Sequence, residues 1–154
     1  MASGSLLALR SAVATLFLGA AFSQATAAQV SYVSGITKVA TGEAAKDAIQ
    51  DMKAGLRNLV TAQEAYYSDH NRYGRDVSRD NRDQVFILPP PGVTLSLTYV
   101  TTNAWTARAT HEWLPGLSCV IFVGKIPPSR TIQTATGRLE ATTEGAPACD
   151  QPTD

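Results

Sequence analysis

The side chains able to do chemistry are few and far apart in this sequence. Histidine occurs only at His70 and His111. Nothing in the sequence pairs either one with a nucleophile, so both read as solvated or structural imidazoles. Ser68, Ser78 and Ser118 lie in none of the glycine-flanked elbows that lift a serine oxygen into reach of a substrate. No HExxH, CxxCH or phosphate-cradling glycine loop occurs. We therefore assign no catalytic residue, no cofactor and no enzymatic activity from the sequence.

Two further groups could bind or bridge. Cys119 and Cys149 are the only cysteines, and an even pair in an exported chain favours a disulfide. It would close a loop of about 30 residues, worth roughly 3.5 kcal/mol of chain entropy. Two free thiols or a metal pair are the alternatives, but no neighbouring His or Cys completes a zinc set. The second group is Asp69, Asn71 and Asp80, a weak calcium candidate. Asp69-x-Asn71-x-Tyr73-Gly74, with Asp80 at the twelfth position, partly mimics a calcium loop. Tyr73 stands where a carboxylate or amide belongs, and Asp80 is shorter than the preferred Glu. Four arginines also sit among the four aspartates of residues 69–83. Asp–Arg pairing on a wet surface, each pair worth about 0–1 kcal/mol, is the simpler reading.

The elements that must hold these residues follow from the patterning. The chain has 154 residues, enough for one domain, and 44% of them are hydrophobic, enough for a core. Thirteen basic residues balance thirteen acidic ones. That balance argues against a nucleic-acid partner or a polybasic membrane surface. Residues 1–27 read as a secretory signal: Arg10, an apolar run over 11–22, then Ala25-Thr26-Ala27 as a cleavage site. An uncleaved anchor is the competing reading. Cleavage would remove Arg10 alone among the charges, leave the mature chain slightly acidic, and leave it without a membrane span. Residues 28–41 suit an extended arm, in which Val30 and Tyr32 are candidate interface residues.

Residues 42–154 form the expected globular domain. Ala45, Ile49, Met52, Leu56, Leu59, Val60, Gln63 and Tyr66 recur at helical spacing, which predicts one long amphipathic helix over 42–68 with Gly55 as its weak point. Residues 69–83 read as a solvated connector. Val93, Leu95, Leu97 and Tyr99 alternate with polar residues as a half-buried strand should. Trp105, Ala107 and Ala109 do the same in a second strand. Cys119 to Val123 is apolar throughout and reads as a strand covered on both sides. Short connections between these strands predict an antiparallel meander. Residues 126–154 carry few large apolar groups, so a Cys119–Cys149 bond would staple that tail to the third strand. The fold class expected is α+β: one long N-terminal helix on a three- to four-stranded antiparallel sheet, with a disulfide-tied C-terminal segment. Tyr67 and Trp113 are further candidate interface residues, with a place at the core margin as the alternative.

Three stretches in this order resemble the globular heads of type IV pilins and pseudopilins. They are Asn58 to Asp69 (NLVTAQEAYYSD) followed by Tyr73, then Trp105 to His111 (WTARATH), then Cys119 to Gly124 (CVIFVG) with the closing Cys149-Asp150. The resemblance covers residues 42–150. It implies a non-enzymatic structural subunit of a surface filament or secretion apparatus, secreted or at the cell surface, with the periplasm as another location. Its partners would be further copies or other pilin-like subunits. A soluble secreted or periplasmic ligand-binding module on the same fold is the second expectation. The prepilin pattern itself is not found: Gly19 is followed by Ala20, Ala21 and Phe22 with no Glu nearby. Assembly would then rest on another contact, for example residues 28–41 added as a strand to a neighbour's sheet edge.

Overall fold

The computed structural model describes residues 30–32, 38–77 and 84–152. The expected signal segment at 1–27 lies outside them, as does Asp80. Helix α1 spans Gly42–His70. Its buried face is Ala44, Ala45, Ala48, Ile49, Met52, Gly55, Leu56, Leu59 and Gln63, at the three- and four-residue steps that mark a core-facing stripe. Met52, Leu56 and Leu59 are wholly buried, each contributing about 1.5–3 kcal/mol by leaving water. The helix stops at Asn71, which takes the left-handed conformation (φ 52°) and donates its backbone N–H to Tyr67 O at 2.8 Å.

That stripe covers one face of a four-stranded antiparallel sheet. The strands are β3 (Val93–Val100), β4 (Trp105–His111), β5 (Ser118–Val123) and β6 (Ala148–Cys149), in the order β3-β4-β5-β6. A separate two-stranded sheet pairs β1 (Val30–Tyr32) with β2 (Lys38–Ala40). Within the expected arm, residues 30–32 and 38–40 thus pair antiparallel with each other where a single extended stretch was expected. It meets the domain where Ala40 N–H donates to Trp113 O at 2.8 Å.

Trp105, Ala107 and Ala109 of β4 and Cys119 and Ile121 of β5 are fully buried in the core shared with α1. The small β4 residues let the helix lie close, and Gly55 serves the same end. A methyl group at Gly55 would stand 3.3 Å from both Pro90 Cδ and Val93 Cγ1. The glycine expected as a weak point in the helix is where α1 presses on the start of β3.

Three expectations change in detail. First, Leu97 faces Ala107 but Tyr99 faces Thr106, so Thr98 is an extra residue, a β-bulge. It turns Tyr99 to the sheet face opposite α1, although plain alternation would put Tyr99 beside Leu97. Second, the connector is not wholly solvated. Tyr73 and Gly74 are buried, and the side-chain amide of Gln63 pairs with the Gly74 backbone at 2.9 Å in both directions. Burying an amide without partners costs about 1–3 kcal/mol, so this double bond explains a fully buried glutamine. Third, the C-terminal segment packs on the outer sheet face: Ile132 and Ala141 sit with Val120, Phe122 and Ala148. The Cys119–Cys149 disulfide is formed, between directly paired residues of β5 and β6.

Candidate functional site

An open polar concavity lies on the sheet face turned away from α1. Its floor is Thr98 and Tyr99 of β3 with Thr106 and Arg108 of β4, and its overhanging wall is residues 129–137. It encloses about 490 Å³, within the usual range for small-molecule sites. Each wall is fixed by its own local structure. The bulge at Thr98 brings Tyr99 to this face, and the Thr98 hydroxyl meets the Thr106 hydroxyl at 2.7 Å across the strands.

The overhanging segment is held at several points. Thr134 N–H donates to Leu139 O and Gly137 N–H to Thr134 O, at 2.8 and 2.9 Å. Ala135 N–H donates to the buried Ser118 hydroxyl at 2.7 Å. Asp150, 2% exposed, anchors the segment from behind. Its carboxylate accepts from Ser118 N–H at 3.0 Å and from the Thr136 backbone and hydroxyl. Burial alone would raise the pKa of this group. Hydrogen bonds from Thr134, Thr136 and the Ser118 backbone outweigh that and hold it below the ordinary aspartate value.

Two guanidinium groups give the cleft its charge. Arg108 donates from Nη2 to Gln133 O at 2.9 Å, and its Nε is buried with no hydrogen-bond partner. Arg130 lies over the Tyr99 ring, 5.7 Å from its centre. No Asp or Glu lines the cleft, and among the described residues neither arginine forms an ion pair.

Apart from the bonded Cys119–Cys149 pair, the residues singled out from the sequence that the structure describes lie outside this cleft. Asp69 is exposed on the last turn of α1 and Asn71 is the helix cap. Among the described residues no three His, Cys, Asp or Glu side chains gather as a metal set. Val30 and Tyr32 lie in β1, opposite Ala40 and Lys38. Tyr67 is half-buried, its ring 4.9 Å from Tyr73 and its hydroxyl 3.5 Å from Asn103 Oδ1. Trp113 is half-buried and meets His111 edge-on at 5.2 Å. Both aromatics pack against the margin of the core and keep part of their surface exposed. His111 is buried and accepts from Trp113 N–H at its Nδ1 at 3.1 Å. His70 stacks on Tyr66 at the helix end. Tyr73 donates its hydroxyl to Glu64 at 2.8 Å, and burial followed by that carboxylate pushes its phenol pKa well up.

Sequence reasoning missed the arginine pair and one exposed apolar pair. Phe86 and Leu88 are 79% and 71% exposed, whereas Val85 between them and the connector is buried. The run Val85 to Leu88 is apolar at every position, so no polar partner marked which side faces out. Among the described residues no helix is long and apolar enough to cross a membrane. No protein-family model matches the chain, and no curated protein matches its sequence significantly.

Proposed function

We propose that the chain is a non-enzymatic, pilin-like structural subunit that acts by protein–protein contacts in a surface filament or secretion apparatus. The observation that carries this reading is the wiring of the fold. A 29-residue helix precedes an antiparallel meander and lies on one face of it, and a C-terminal strand is disulfide-bonded to an inner strand. That order is what the resemblance to pilin heads implies. The disulfide fits an oxidising compartment, in keeping with export to the surface or periplasm. Subunit contacts need apolar surface, and Phe86 and Leu88 offer it on the stretch that leads into Pro89, Pro90 and Pro91.

The test is high-speed sedimentation of the native extracellular fraction, with mass spectrometry and electron microscopy of the pellet. The full chain is expected in the pellet together with filaments, and the double substitution F86S/L88S is expected to return it to the supernatant still folded. A wild-type protein that stays monomeric in the supernatant would overturn the reading. The second reading, a soluble ligand-binding module on the same fold, is favoured by one specific feature, the arginine-lined cleft.

A further inference from the structure

We infer that the cleft between the outer sheet face and residues 129–137 binds a small oxyanion carried on a hydroxylated body, the chemistry of an acidic saccharide. This deepens the second reading and is independent of filament formation.

The charge argument comes first. Arg108 and Arg130 line one concavity whose lining includes no carboxylate. A guanidinium shielded from water is costly unless an anion or a set of acceptors meets it. Arg108 is only half-exposed, is tethered through one Nη to Gln133 O, and has a buried Nε without an acceptor. The tether holds the side chain in place before any ligand arrives, which lowers the ordering cost of binding. The nearest buried carboxylate, Asp150, is already saturated by Ser118, Thr134 and Thr136 and does not neutralise the pair.

The lining narrows the ligand further. Most small-molecule pockets are apolar with a few polar anchors. Here the reverse holds: Thr98, Ser129 and Thr131 add hydroxyls to the two arginines, the buried Thr106 hydroxyl holds that of Thr98, and Tyr99 adds an aromatic ring. Hydroxyls that both donate and accept match the hydroxyls of a sugar. Planar guanidinium forks match a carboxylate. A cleft of about 490 Å³ accommodates one or two sugar rings.

The experiment titrates the purified full chain with galacturonate, glucose and inorganic phosphate, followed by amide shifts in NMR spectra. Galacturonate is expected to give saturable shifts at residues of β4 and 129–137, and glucose none at the same concentration. R108Q and R130Q should each weaken galacturonate binding by about tenfold or more, the loss expected for a charge-assisted hydrogen bond. R130Q alters an exposed side chain and keeps the test decisive should R108Q fail to fold. Absence of saturable galacturonate binding, or binding that both variants retain, would overturn the inference. So would phosphate binding as tightly as galacturonate, since the hydroxylated body would then contribute nothing. Sedimentation of the same variants separates this site from the filament reading, because neither substitution touches Phe86 or Leu88.

Discussion

Asp150 is a carboxylate kept ionised in a place where burial disfavours charge. Four donors achieve this: the hydroxyls of Thr134 and Thr136 and the backbone N–H groups of Ser118 and Thr136. Its folded pKa lies below the value in an unfolded chain, about 3.9. The stability it contributes is therefore fully present above that value and is lost as pH falls through the lower, folded value. Denaturation midpoints should hold steady from pH 7 to about 5 and fall steeply under about pH 4. Asp150→Asn should cost about 1–3 kcal/mol at neutral pH, the usual loss when a charged acceptor goes, and should flatten the acid limb. A variant whose acid limb matches the wild type would show that other carboxylates govern it. Gln63 applies the same rule without charge, its amide standing in for a peptide group opposite Gly74.

At the scale of elements, the close fit of α1 on β3 makes its own prediction. Gly55 already faces Pro90 and Val93 at near-contact for a single methyl group, so Gly55→Leu should overpack the interface and cost about 1–3 kcal/mol. Chemical denaturation would read the loss, and a neutral result would mean the helix can lift from the sheet without penalty. Helix α1, β3 and β4 were legible because each shows the matching period, 3.6 or 2, and β5 because Cys119 to Val123 is apolar throughout. The Cys119–Cys149 pair was legible because the tail between them lacked the apolar residues to hold itself. The bulge at Thr98 was not legible, since an inserted residue leaves the alternation of polar and apolar types untouched while reversing the facing of Tyr99. The cleft depends on that bulge and on a fold-back of residues 129–137 set by hydrogen bonds to Ser118 and Asp150. Contacts between residues so distant in sequence leave no periodic trace, and for that reason Arg108 and Arg130 carry no mark of a site in the sequence.

For the molecule as a whole, the disulfide closes a 30-residue interval between adjacent strands. Replacing both cysteines by alanine should lower stability by about 3.5 kcal/mol. The loss should be read as a reduced denaturation midpoint, with amides of 126–148 gaining exchange first, because β6 is only two residues long. Uniform loss of protection across α1 and β4 would show instead that the tail and core unfold as one unit. The same bond has a mechanical side. Under tension applied at the two ends of the chain, load passes from β5 through the sulfur bridge to β6 and bypasses everything between. At about 3.5 Å per extended residue, roughly 100 Å of contour length stays out of reach of the pull. The wall of the cleft, residues 129–137, lies inside that protected stretch, whereas its anchors Ser118 and Asp150 flank the bridge and carry the load, so a stretched molecule would lose the cleft while the segment that walls it stays unextended.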